Sequence, residues 1–153
     1  MSMSPKFLTS FAAIDLNVDS SLELLEQIAL IGAKSGLVKS SWSAAVIERE
    51  KSFPTGLPTP IPVAIPHTDS IHVFSDGIGF FRTVKPASFG EMGATDSFLD
   101  VQIIIPLLIT NHEEQIDLLM KVITAVQDEE FVANLLKASN LAEVGSLFAE
   151  KEL

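Results

Sequence analysis

Two neighbouring runs set the architecture: Arg49-Glu50-Lys51-Ser52-Phe53-Pro54-Thr55-Gly56, and then Val63-Ala64-Ile65-Pro66-His67-Thr68-Asp69. The first is the end of a helix, because a helix entering this stretch must stop before Pro54. Arg49 therefore falls in its last turn or two. Prolines at 54, 58, 60, 62 and 66 each lack an amide donor and fix their own backbone torsion, which predicts a rigid connection. It leads into a short apolar strand, Val63 to Ile65. Pro66 holds Ile65 extended, Thr68-Asp69-Ser70 turns the chain, and His67 projects from the carboxyl end of the strand, a common place for sites in α/β folds.

Working outward, Phe11 to Leu16 reads as a strand. Asp19 or Ser20 caps a helix, with Glu23 placed to complete a capping box from Ser20 and Gly36 placed to end it. A second helix starts near Ser41. Gly77 to Thr83 and Leu99 to Thr110 read as two more strands, the latter buried by its Val/Ile/Leu content. Glu113 to Gln127 has helical apolar spacing in Ile116, Leu119, Val122, Ile123 and Val126. Helices over Asp128 to Ala138 and Leu141 to Glu150 follow. This order predicts an α/β fold, a layered sandwich in which a mixed β-sheet is flanked by helices. With no repeat or linker in view, residues 1–153 read as a single domain.

Composition narrows the function classes. Hydrophobic content of 47% with 20% charged residues describes a globular body that can bury a sizeable core. Ten basic residues against twenty acidic ones give a net charge of -10, which repels nucleic acid on average, and no basic cluster overrides the mean. The chain has no cysteine, which excludes disulfides, thiolate chemistry and zinc fingers and fits a reducing compartment. No basic segment leads into an apolar run at the start, so no secretion signal is expected. Val101 to Ile109 is interrupted by Gln102 and Pro106 and is too short to span a bilayer. The expectation is a cytoplasmic protein without direct membrane insertion.

The chemistry centres on His67. A neutral imidazole is a good nucleophile toward phosphorus near pH 7, and a nearby guanidinium can clamp phosphoryl oxygens with paired donors. From the local residues alone, His67 reads equally as a half-buried histidine bonded to backbone. Arg49 alone reads as a residue capping helix carbonyls. Thr55-Gly56 reads first as a turn, with Gly56 supplying a positive torsion; the functional version is a hydroxyl and a close amide beside an anion. His67 and His72, with Asp69, Asp76 and His112, could be drawn together as metal ligands, but their spacing suits neither a two-histidine helix nor a finger, so no metal is expected. No Gly-x-Ser-x-Gly elbow occurs. Glu113, Glu114 and Asp117 are a solvated helix face.

Together, the Arg49-to-Gly56 and Val63-to-His67 segments resemble the enzyme IIA component of sugar phosphotransferase systems, mannitol/fructose class. Thr68-Asp69 with His72 resembles the galactitol-type branch most closely. Met92-Gly93, Val101 to Ile105 and Gln115-Ile116-Asp117-Leu118-Leu119 extend the resemblance over nearly the whole chain. The resemblance implies a cofactor-free histidine phosphocarrier. HPr, phosphorylated on its own histidine, would be the donor, and a cysteine of enzyme IIB, working with membrane enzyme IIC, the acceptor. Carried over by position, His67 is the phosphorylated nucleophile and Arg49 the clamp, with Thr55 and Gly56 shaping the pocket and His72 beside it. Many members carry a second histidine where this chain places Gln115; His112 stands three residues earlier, and the choice among His112, Gln115 and neither stays open. Without a cysteine, the chain is expected to work as a freestanding shuttle. A regulatory module on the same fold, controlling a transcription factor or transporter, is the alternative.

Overall fold

The structure, a computed structural model, describes residues 4–153. In chain order the elements are β1 (Phe7–Leu16), α1 (Ser21–Lys34), α2 (Trp42–Ser52), β2 (Gly56–Leu57), β3 (Val63–Ala64), a short 3-10 helix (Ser70–His72), β4 (Gly77–Gly90), β5 (Phe98–Ile104), β6 (Leu107–Leu108), α3 (His112–Val126), α4 (Glu129–Lys137) and α5 (Leu141–Glu150). The six strands form one open mixed sheet in the order β1-β4-β5-β3-β2, with β6 on β4. β1 runs parallel to β4 and β3 parallel to β5, and the remaining pairs are antiparallel. This is the α/β sandwich expected from the element order.

Apolar side chains alternate between two cores. Ile65, Phe80, Ile103 and Ile105 face α3, α4 and α5, packing on Val122, Phe131, Leu135 and Phe148. Ala64, Phe81, Val101 and Ile104 face α1 and α2, packing on Leu25, Ile28, Trp42 and Val46. A sheet covered on both faces needs apolar residues at successive positions, which is why β5 reads as an unbroken apolar run. No helix among the described residues is long and apolar enough to cross a membrane.

Several boundaries differ from the expectation, each for a local reason. Leu99 to Thr110 divides into β5 and β6, yet both lie on one ladder against β4: Phe81 faces Ile104, Ile78 faces Leu107, and Gly79 N–H donates to Pro106 O at 2.9 Å. Pro106 merely lacks the amide that would close the gap. β4 continues past Thr83 to Gly90 because a register shift between Arg82 and Ala87 accommodates Pro86. Ser20 caps α1 through Glu23 N, at 3.1 Å, while the Glu23 carboxylate accepts from Asp19 N rather than from Ser20 N, so the box closes one residue early. Gly36 follows α1 with φ +69, the left-handed conformation that favours glycine.

Candidate functional site

The backbone around His67 is held on both flanks. Ile105 N–H donates to Ala64 O at 2.8 Å and Leu107 N–H to Pro66 O at 3.1 Å. Ile65 N–H donates to Thr55 Oγ1 at 3.2 Å. The histidine so positioned is only 6% exposed. Its Nδ1 lies 2.8 Å from Ile65 O. A carbonyl oxygen only accepts, so Nδ1 carries the proton and the lone pair of the neutral ring sits on Nε2.

Burial lowers the pKa of His67 below its ordinary 6.5, and the positive charge of Arg49 acts in the same direction; the Ile65 carbonyl and Asp69 oppose them. The ring is therefore neutral at pH 7, as a nucleophile must be. A proton NMR titration is expected to place the His67 midpoint below 6.5, the ordinary value; a midpoint above it would contradict this assignment. An unfolded chain takes up that proton more readily than the folded one, so this group removes stability as the pH falls through that ordinary value toward the folded midpoint.

His67 opens onto a cavity of about 370 Å³ whose walls include Arg49, Phe53, Thr55, Met92 and Leu119. Arg49 enters from the last turn of α2, its guanidinium carbon 5.6 Å from the centre of the Phe53 ring. Its Nη1 is 3.8 Å from Asp69 Oδ1, too long for a strong hydrogen bond, and its Nε is buried with no partner. Buried polar atoms almost always find partners. An unpaired guanidinium N–H beside an uncommitted imidazole nitrogen fits an incoming oxyanion.

Gly56 works differently from expectation. It is absent from the residues with positive φ and lies in β2, where a Cβ would come 2.5 Å from Gly90 O, so the role is close backbone approach. Its carbonyl accepts from Met92 N at 2.7 Å and so draws the loop that carries Met92 and Gly93 over the cavity. Gln115 reaches the segment after the histidine, with Nε2 3.4 Å from Thr68 O. His112 is the first residue of α3 and does not line the cavity. His72 Nδ1 lies 2.7 Å from Oγ of Ser41, the residue just before α2, whose side chain makes no capping bond to the helix. Ser41 is about 12 Å along the helix axis from Arg49. Among the described residues, no three His, Asp or Glu side chains cluster closely enough to hold a metal ion.

Residues 7–151 match the phosphoenolpyruvate-dependent sugar phosphotransferase system, EIIA 2 family. The chain belongs to this EIIA family. A phosphotransfer role comes with that membership. The galactitol-specific EIIA component of Escherichia coli is 32% identical over 115 residues, covering 74% of this chain and 76% of that protein. Among solved structures, the IIA-Ntr nitrogen regulatory protein of Neisseria meningitidis superposes with a TM-score of 0.74 at 28% identity, over 91% of this EIIA chain and 93% of that one. The E. coli complex of enzyme IIAMTL with phosphorylated enzyme IIBMTL shares the fold, with a TM-score of 0.76 at 21% identity over 95% and 99% of the two chains.

One polar residue behind the His67 cavity was not anticipated from sequence. Glu50 accepts from Thr55 N at 2.8 Å and from Thr55 Oγ1 at 3.0 and 2.9 Å through its two oxygens. Its position beside Arg49 makes it look like one half of an exposed charge pair. Only the turn at Pro54 brings Thr55 back over it.

Proposed function

We propose that this chain carries a phosphoryl group on Nε2 of His67 between two protein partners of a sugar or sugar-alcohol phosphotransferase system. The observation behind this reading is the pairing of a neutral, Nδ1-protonated ring with the unpartnered guanidinium N–H of Arg49 at one cavity. The donor is the phosphohistidine of HPr. As its N–P bond breaks, a new P–Nε2 bond forms on His67, and the proton stays on Nδ1, donated to Ile65 O, throughout. Arg49 meets the charge on the equatorial phosphoryl oxygens, which is most of what a loose phosphoryl transfer asks of a protein. A cysteine thiolate of a separate enzyme IIB then attacks phosphorus in line, taking the group onto sulfur and returning the lone pair to Nε2. Family membership and the relative solved with phosphorylated enzyme IIBMTL support that acceptor. The similarity to a galactitol-specific component supports a galactitol-type system, in which enzyme IIB, associated with membrane enzyme IIC, passes the group to the incoming sugar and this chain works in the cytoplasm. The whole of residues 1–153 serves as one carrier domain.

The test is direct. Incubated with phosphoenolpyruvate, HPr and the kinase of HPr, the protein is expected to gain one acid-labile phosphate, which a cognate enzyme IIB then drains. Failure to label, or an acid-stable label, would overturn the reading. The likeness to a nitrogen regulatory IIA-Ntr protein favours a second reading, in which the phosphorylation state of His67 controls a transcription factor or transporter. A protein that labels normally but passes its phosphate to no enzyme IIB would point to that role.

A further inference from the structure

We infer that Glu50 is a positioning residue for the phosphoryl-accepting ring, acting through Thr55 and the Ile65 backbone to fix which nitrogen of His67 faces the cavity. The inference rests on the reading of His67 as the acceptor. Consecutive helical residues point about 100° apart. Arg49 therefore faces the site while Glu50, the next residue, passes behind it and lines a separate cavity of about 520 Å³ with Lys51, Phe89 and Phe98. Removing a carboxylate from water is costly unless hydrogen bonds compensate. Burial raises the pKa of Glu50, and the two donors of Thr55 lower it.

The donor directions along this path are fixed by chemistry. A carboxylate accepts, so the Thr55 hydroxyl, only 2% exposed as a residue, must donate its single proton to Glu50. The hydroxyl oxygen then has its lone pairs turned to the Ile65 N–H, 3.2 Å away, and the Thr55 carbonyl accepts from the same N–H at 3.4 Å, so both acceptors belong to Thr55. Ile65 is pinned there, its side chain fully buried, and its carbonyl, 2.8 Å from Nδ1, accepts the ring proton. Pro66 contributes no amide that could compete for a partner nearby. Without Glu50 both the N–H and the hydroxyl of Thr55 lose their acceptor, and the two Thr55 oxygens that hold the Ile65 N–H are no longer fixed in place. The Ile65 carbonyl then no longer dictates the ring tautomer or its tilt.

The experiment compares Glu50→Ala and Glu50→Gln with the unmodified protein, using ring nitrogen-15 NMR of His67 at about pH 8, where the ring is neutral, and single-turnover labelling from phospho-HPr. The unmodified protein is expected to show protonated Nδ1 and bare Nε2. Glu50→Ala should mix the two tautomers and slow labelling at saturating donor about a hundredfold, as small misplacements of a reacting group do, with the KM for phospho-HPr unchanged. Glu50→Gln keeps an acceptor oxygen for Thr55 and should recover the rate to within about threefold. A role confined to closing the turn after α2 would leave the ring spectrum of Glu50→Ala as it was, and that result overturns the inference. So would a Glu50→Gln protein as slow as Glu50→Ala. Should Glu50→Ala fail to fold, Thr55→Val removes the same hydroxyl and is read by the same two measurements, an unaltered spectrum and rate again counting against Glu50. His67→Ala run alongside separates the two levels: label on that variant defeats the acceptor assignment itself, whereas label confined to His67 leaves only Glu50 in question.

Discussion

His67→Ala protein, mixed with phosphoenolpyruvate, HPr and its kinase, should take up no acid-labile phosphate at all. The expectation is absolute because His67 is the histidine whose ring lines the cavity; His72 is bonded to Ser41 and His112 lies outside the lining. The substitution removes a partly polar ring from beneath the cavity floor and leaves both apolar cores intact, so the variant should fold and keep its far-ultraviolet circular dichroism. Any stoichiometric label on it would move the chemistry to another residue. Mass spectrometry of the labelled unmodified protein, with the phosphate located by peptide, is the complementary measurement.

Arg49→Ala should still label on His67, but about a hundredfold more slowly at saturating donor, the usual loss when one preorganised donor to a developing oxyanion is removed. Arg49→Lys should recover little of that rate. Lysine restores a charge but not the planar fork, and its single ammonium cannot place donors where Nε and Nη1 now stand. The guanidinium also stacks on Phe53, a contact that an ammonium on a flexible stem holds less firmly. Rapid-quench measurement of the phosphoryl-transfer step distinguishes these outcomes, and an Arg49→Ala rate within twofold or so of normal would remove the clamp from the mechanism.

The helical part of the fold was readable because its punctuation is chemical. Ser20, Asp128 and Gly36 mark helix ends through side-chain acceptors or a positive torsion, and the structure places them at those ends. The sheet was less readable where tertiary contacts decide. Gly56–Leu57 is a strand only because β3 pairs with it and Gly90 packs against it, and nothing in two residues between prolines announces that. The second half of β4 contains Pro86 and exposed Val84, a local pattern that reads as a strand end until the register shift is seen. At the site, His67 and Arg49 stood out by the company they keep in sequence. Glu50 did not, since a charged helical residue beside another usually faces solvent, and its partner lies across a turn.

The depth of the imidazole has one more consequence. With His67 only 6% exposed and walled by Phe53, Met92 and Leu119, a phosphoryl group bound there would be hard for a water molecule to approach in line with the P–N bond. Spontaneous hydrolysis, the leak that any energy-rich phosphoramidate suffers, would then be slow under the proposed carrier role, and the charged form could wait for its acceptor. In that role the same recess would ask the acceptor to carry its thiolate at the tip of a protruding loop, so that the lifetime of the stored group would be set by the shape of its visitors rather than by the solvent.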